Sequence, residues 1–381
     1  MIDLGGTTVP IGGMTLIPED GFFIRSLDGE TFLRSGVLVD AADYPTFPHD
    51  QAINSIGMMW KSRALPTTDN WSGLCRADTG RYVAIAKTDS SGNETNRALT
   101  SLDGINWNPV TLPITANWNE VCWGGGMFVA SRIDSEDSSS SIKWLATSPD
   151  GINWTSRDVA SSGYTSVVRL AYGNGMFVAA GTTNLSARSF NGITWEVATS
   201  AFPTGGCGLL AFGAGTFVSI GTSVSSGNKS IAVLTSTNGL NWSSHTMPLS
   251  AFWWSLVYAD GKFVAVGNNS AYADQPQGAV LAVSIDGVTW KLKTLPTTAV
   301  GMRRVVYANG LFVVLTSGDN LLVSPDGETW GMRKRTSIIP TDCFSVGGSL
   351  LAVQQGSIYQ SDPGLMIGSQ AYSPNQYMRI A

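Results

Sequence analysis

The sequence predicts an all-β fold: a seven-bladed β-propeller of four-stranded blades with a small N-terminal segment. Three observations predict it. Six segments repeat one pattern: SLDGINW ending at Trp107, SPDGINW at Trp154, SFNGITW at Trp195, STNGLNW at Trp242, SIDGVTW at Trp290 and SPDGETW at Trp330. With Trp60 as a seventh member, the tryptophans recur every 40–48 residues, which is blade-sized and too long for a leucine-rich repeat. A tight-turn hairpin accompanies each repeat: CWGGGMFVA, AYGNGMFVA, AFGAGTFVS, VYADGKFVA and VYANGLFVV, with CRADTGRYVA first and SVGGSLLAV last.

Each element has a local reason. Asn-Gly, Asp-Gly and Gly-Gly between β-rich runs supply the positive φ that a two-residue hairpin turn needs. The order within a repeat is therefore strand, tight turn, strand, variable loop, strand, Ser-x-Asp/Asn-Gly turn, Trp strand. In the second turn the Asp or Asn side chain bonds backbone N–H groups, Gly takes the left-handed position, and Trp plugs the sheet. This Ser-x-Asp-Gly-x-x-Trp element resembles the Asp-box of sialidase-like propellers. Its recurrence from repeat to repeat assigns it to the fold and not to a ligand or metal site.

Ring closure is also readable. Trp60 lacks the Ser-Asp-Gly lead, yet WKSRALPTTDNW from Trp60 matches WNPVTLPITANW from Trp107. The last repeat ends in YQSDPG without a Trp, so the strand at Trp60 should complete the C-terminal blade. SLDGETF at Ser26–Phe32 imitates the motif but ends too close to Trp60 to form a blade. The expected organisation is an attachment segment over 1–55, the propeller over 56–361 and a tail over 362–381.

Composition excludes several function classes. Of 381 residues, 43% are hydrophobic and 13% charged, with 43 Gly and 13 Trp, which fits a globular chain of many turns around aromatic anchors. A net charge of −5 gives no electrostatic footprint for nucleic acid. No apolar run reaches the ~18 residues of a membrane helix, and the N-terminus carries no secretory pattern. Synthesis in the cytoplasm without membrane insertion is expected. Cys75, Cys122, Cys207 and Cys343 lie far apart and read as buried thiols, and His49 and His245 are the only histidines. No metal and no cofactor is expected.

Aligning the repeats on the hairpin turn gives columns along the innermost strand. One reads Cys75, Cys122, Ala171, Ala211, Val257, Val306, Phe344. Its neighbour reads Arg76, Trp123, Tyr172, Phe212, Tyr258, Tyr307, Ser345. Consecutive strand residues face opposite ways, so a small face and an aromatic face let adjacent blades interlock. A third column carries charge. Glu120 and Arg169 fall in successive blades, as do Arg304 and Asp342, and are expected to pair across blade interfaces. Glycoside hydrolysis needs two facing carboxylates, and the column neighbours here are arginines. The Arg-Ile-Pro signature of sialidases is absent. No catalytic residue is assigned, and the chain is not expected to be an enzyme.

A fourth column reads Trp71, Trp118, Thr165, Gly206, Trp253, Gly301, Thr341. Four repeats manage there without Trp. Trp71, Trp118, Trp253 and Trp254, with Tyr164, are therefore expected to be exposed on a rim with long polar loops. Exposed aromatics among hydroxyls suit a sugar ring or a protein interface.

The ends carry a further resemblance. Pro18 to Gly21, Phe32-Leu33-Arg34-Ser35-Gly36 and Tyr44-Pro45 resemble the N-terminal segments of tailed-bacteriophage tail and fibre proteins, and Tyr377-Met378-Arg379-Ile380 is similar to their C-terminal strands. Propellers of YGNGxFVA and SxDGxxW repeats are similar to ones found in phage tail proteins. The resemblance implies a non-enzymatic virion tail protein, oligomeric in the virion. It would join other phage tail proteins through residues 1–55 and the C-terminal tail, and bind host cell-surface glycan or protein. There is no collagen-like, coiled-coil or β-helical shaft, which favours a compact tail-tip or decorating component over a long fibre. The alternative is a cellular lectin-like or sialidase-like carbohydrate-active propeller.

Overall fold

The hairpin turns take the backbone their sequences prescribe. Asn174 and Gly175 have φ of 50° and 73°, Ala214 and Gly215 48° and 74°, and Asp260 and Gly261 48° and 72°. Paired positive φ values match the right-handed twist of the strands that such turns join. A computed structural model shows these hairpins assembled into seven blades. It describes Trp60 to Ser361 except for 64, 134–144, 158–166, 182–185, 199–200, 203–206, 222–228, 270–277, 297–300, 309, 319, 335–341, 347–348 and 355–356, together with the backbone of six short strands outside the ring.

From the axis outward, blade 1 is Asn70–Arg76, Tyr82–Thr88, Thr95–Ser101 and the first half of Asn108–Gly124. Blade 2 uses the second half of that strand, then Met127–Ile133, Leu145–Ser148 and Thr155–Arg157. Blade 3 is Val167–Gly173, Met176–Gly181, Ser186–Ser189 and Glu196–Ala198. Blade 4 is Leu209–Gly213, Thr216–Ile220, Ser230–Ser236 and the first half of Ser243–Ala259, whose second half opens blade 5. Lys262–Asn268, Ala279–Ser284 and Lys291–Leu292 complete blade 5. Blade 6 is Met302–Ala308, Leu311–Thr316, Asn320–Ser324 and Gly331–Lys334. All pairings are antiparallel. In the connections from blade 1 to 2 and from 4 to 5, one strand serves both sheets, with register shifts between Thr111 and Ala116 and between Ser230 and Ala232.

Blade 7 closes the ring as the sequence predicts. Its inner three strands are Asp342–Val346, Ser349–Gln354 and Ser357–Ser361, and its outer strand is Trp60–Arg63, with Ile358 opposite Arg63 and Ser361 opposite Trp60. Outside the ring, Ile2–Asp3 pairs with Thr8–Val9, Ile24–Arg25 with Thr31–Phe32, and Val37–Asp40 with Gln376–Arg379.

Aromatic rows stiffen the blades radially. Phe128 lies 4.4 Å from Trp123 and 6.3 Å from Trp154, ring centre to ring centre, and Phe177, Phe263 and Phe312 repeat the arrangement between Tyr172 and Trp195, Tyr258 and Trp290, and Tyr307 and Trp330. These phenylalanines are fully buried. Burial of each such ring stabilises the fold by about 2–3 kcal/mol. Adjacent blades interlock through glycine. A Cβ on Gly124, Gly173 or Gly213 would lie 2.0–2.1 Å from the ring of Tyr172, Phe212 or Tyr258 on the next blade. The aromatic column therefore packs on the glycine that follows the preceding blade's own aromatic, not on the small column that sequence alignment sets opposite it.

The Ser-x-Asp-Gly turn is hydrogen-bonded throughout. In blade 1, Ser101 Oγ accepts from the Gly104 N–H at 2.9 Å, and Asp103 Oδ1 accepts from the N–H groups of Ile105 and Asn106 at 2.8 and 2.7 Å. Trp107 Nε1 donates to the Gly104 carbonyl at 3.1 Å. Asp150, Asn191, Asn238, Asp286 and Asp326 do the same in blades 2 to 6. The Asn106 and Ile105 N–H groups hold the Asp103 carboxyl below the usual carboxylate range. At Asp150, Asp286 and Asp326 burial pushes the carboxyl up, and the N–H bonds outweigh it and leave it lowered.

Two predictions follow from these turns. Ala214 is an L-residue in the left-handed region without a side chain that bonds locally, a placement costing ~1–2 kcal/mol. Ala214→Asn should recover about 1 kcal/mol in chemical denaturation, and an unchanged midpoint would contradict the assignment. The second concerns acid. The folded pKa values of the four turn aspartates lie below the ~3.9 of an unfolded Asp, so their stabilisation is complete above about pH 5 and drains as pH falls below ~4. Replacing Asp103, Asp150, Asp286 and Asp326 by Asn, the residue blades 3 and 4 use, should flatten the fall of Tm below pH 4 while preserving the fold at neutral pH.

Candidate functional site

The innermost strands run side by side around the axis, and their ends toward the hairpin turns enclose a cavity of about 750 Å³. Every innermost strand except that of blade 4 contributes to its lining. The walls combine the aromatic residues Trp123, Tyr258, Tyr307 and Phe344 with Val257, Val306 and the thiols of Cys75 and Cys122, while Arg76, Asp78 and Arg304 supply charge. The size is that of a ligand pocket. Burial pushes the Cys122 thiol up to about 12, with the Glu120 carboxylate adding to it, and burial followed by the charge of Cys122 raises Cys75 well above the usual thiol value. Both are therefore protonated, weakly nucleophilic thiols at neutral pH. Cys207 is buried and likewise pushed up to about 12 by burial. The side chain of Cys343 lies outside the described residues. Among the described residues, no three His, Cys, Asp or Glu side chains gather where they could hold a metal.

The charged column does bridge blades. Glu120 Oε2 crosses from blade 2 to accept from the Leu170 N–H of blade 3 at 2.6 Å. Arg169 Nε donates onward to the Gly208 carbonyl, at the start of blade 4, at 2.8 Å. The Arg304 guanidinium stands 5.0 Å from the centre of the Phe344 ring in blade 7. Asp342 begins the inner strand of blade 7, with its side chain outside the described residues.

The rim aromatics require a correction. Trp71, Trp118 and Trp253, expected to be exposed, are 8%, 0% and 4% exposed. Trp118 Nε1 donates to the Ile114 carbonyl and Trp253 Nε1 to the Ser230 carbonyl, and each ring fills the core of its own region. The physical reason is a bulge. The strand register shifts between Trp118 and Glu120 and between Trp253 and Ser255, so the Trp stays in the sheet and the next residue is thrown out. Trp254 is accordingly 40% exposed, with its ring 6.5 Å from that of Phe252. Tyr164 and most of the long loops expected on that rim lie outside the described residues. The sequence reading missed the cavity walls. Trp123, Tyr258 and Tyr307 stand in the aromatic column, and the alignment gave them only a role between blades.

The correction can be measured. Trp118→Ala should cost about 3–5 kcal/mol of unfolding free energy, as a fully buried ring does. Trp254→Ala should change stability by less than ~0.5 kcal/mol. Equal effects in chemical denaturation would contradict the bulge assignment.

No family model matches the chain, and no curated protein is significantly similar to it. Solved structures are. YCF48 from Cyanidioschyzon merolae has a TM-score of 0.58 at 14% identity, covering 80% of this chain and 98% of that one. YCF48 bound to D1 peptide has a TM-score of 0.58 at 17% identity, covering 81% and 97%. Virginiamycin B lyase from Staphylococcus aureus has a TM-score of 0.60 at 10% identity, covering 79% and 99%. At these identities the likeness establishes the β-propeller fold and nothing finer.

Proposed function

We propose that this chain is a non-catalytic tail protein of a bacteriophage virion. Its propeller binds a neighbouring tail protein or the host surface, and its two ends attach it to the particle. The observation that carries this reading is the ladder between Val37–Asp40 and Gln376–Arg379. Val37 follows directly on Phe32-Leu33-Arg34-Ser35-Gly36, and the partner strand contains Tyr377-Met378-Arg379. The two segments with phage-tail resemblance thus meet outside the ring, as a common attachment unit would require.

Binding is favoured over catalysis by how the polar groups of the inner strands are used. Glu120 and Arg169 hold backbone groups of the next blade, and Cys75 and Cys122 are held as thiols. Of the similar structures, YCF48 is known bound to a D1 peptide, so a propeller of this shape takes up polypeptide. The burial of Trp71, Trp118 and Trp253 removes these rings as a stack for a sugar, for the host glycan of the tail reading as for the lectin-like alternative.

The test is made on particles. Mass spectrometry of purified virions should find the chain. A variant lacking residues 1–55 should remain a folded propeller, by circular dichroism and thermal melting, and be missing from particles. Absence of the intact chain from purified virions overturns the reading.

A further inference from the structure

The two faces of the ring differ. Because strands alternate in direction, the hairpin turns and the Ser-x-Asp-Gly turns share one face. Asn174 shows this directly, its Nδ2 donating from the blade 3 hairpin to the carbonyls of Gly215 and Thr237, one in each kind of turn of blade 4. Of the large apolar side chains that are exposed among the described residues, most sit in the Ser-x-Asp-Gly turns. Blade 1 presents Leu102 and Ile105, blade 2 Ile152, blade 3 Phe190 and Ile193, and blade 5 Ile285 and Val288, with Leu102, Phe190 and Ile285 63–68% exposed. The turn itself does not require them. Its hydrogen bonds use Ser, Asp or Asn and the backbone, and blade 6 builds the same turn with Pro325 and Glu328 in those places. Blades 1, 2, 3 and 5 thus each offer one or two exposed apolar side chains on the same face of the ring.

Charge selects the occupant. The turns of this face carry Asp78, Asp103, Asp150, Asp260, Asp286, Asp326 and Glu328, against Arg76, Arg81 and Lys262; beside them Arg188 pairs with Glu196 and Lys293 with Glu328, so the acidic groups remain in excess. The aspartates of the Ser-x-Asp-Gly turns have lowered pKa values and stay ionised into mild acid. A second copy docked face to face would bring like charges together. The chain's own N-terminal segment is excluded on the same ground, since residues 1–59 hold eight acidic residues and two arginines. Like charges across an interface are strongly disfavoured, and a basic partner is drawn in. Ser361 and Trp60 pair at this face, where the missing turn of blade 7 would stand, so both terminal segments also leave the ring here.

We propose that the Ser-x-Asp-Gly face of blades 1 to 5 docks a partner protein that presents apolar side chains flanked by lysine or arginine. The proposal deepens the reading of the chain as a binding propeller and names the face opposite the rim that the sequence suggests.

The probe is a synthetic amphipathic Leu/Lys helix, with its Leu/Glu counterpart as control, titrated into the full-length protein by fluorescence anisotropy. The Leu/Lys helix should bind at least ~10-fold tighter than the Leu/Glu helix, and added salt should weaken it. The triple variant Ile105→Ser, Ile152→Ser, Ile193→Ser should lose at least ~10-fold in affinity with its Tm retained, and Trp254→Ser on the other rim should lose none. If the triple variant melts early, Leu102→Ser with Ile285→Ser replaces it and should weaken binding in the same direction. Equal binding of the two helices, binding of neither, or loss in Trp254→Ser alone overturns the proposal. So does a wild-type dimer in sedimentation that the apolar-face variants dissociate, which would give the face to a second copy. Helix binding by a chain that is absent from virions would retain this face and reject the tail-protein reading.

Discussion

The ladder between Trp60–Arg63 and Ser357–Ser361 is the constraint on which the ring depends. Six blades are each built from a contiguous stretch of chain and could pair their strands without help. The seventh cannot. Its outer strand comes from the other end of the propeller, so its last hydrogen bonds form only when the whole circle has been travelled. Until then Ser357–Ser361 is an open sheet edge, the kind of surface that pairs with another chain. One four-residue strand therefore converts a row of sheets into a closed object with matched neighbours on every side.

Between blades the fit relies on backbone and on missing side chains as much as on large ones. Gly124, Gly173 and Gly213 leave room for a neighbour's ring. Ser72 Oγ donates to the Trp118 carbonyl at 2.7 Å, and Asn268 forms a reciprocal pair with the backbone N–H and carbonyl of Met302. Buried polar groups placed so fix the angle between blades, because each lost bond would leave an unsatisfied partner costing ~1–3 kcal/mol. Glu120 belongs to this set. Its Oε2 accepts from the Leu170 N–H of the next blade.

Much of the fold was legible because its determinants are local. Asn-Gly turns, the Ser-x-Asp-Gly hydrogen bonds and the Trp that follows act within a few residues, so their pattern survives in the letters. The closing strand was legible for a different reason, since the text after Trp60 matches the text after Trp107. The rim was not legible. Period-two alternation assigns Trp253 and Trp254 to opposite faces but cannot say which is inside once a bulge adds a residue between Trp253 and Ser255. Trp118 misled for the same reason: repeats that hold Thr or Gly in its place made it look dispensable, although its ring is fully buried. The cavity between the inner strands was hidden because its walls come from separate repeats and appear only when the circle is assembled.

The strands Asn108–Gly124 and Ser243–Ala259 each belong to two sheets at once. Mechanically they are tie rods. Pulling either sheet away must break backbone hydrogen bonds in its neighbour, so blades 1 and 2 form one cooperative unit and blades 4 and 5 another. Amide protons in each double leaf should exchange together.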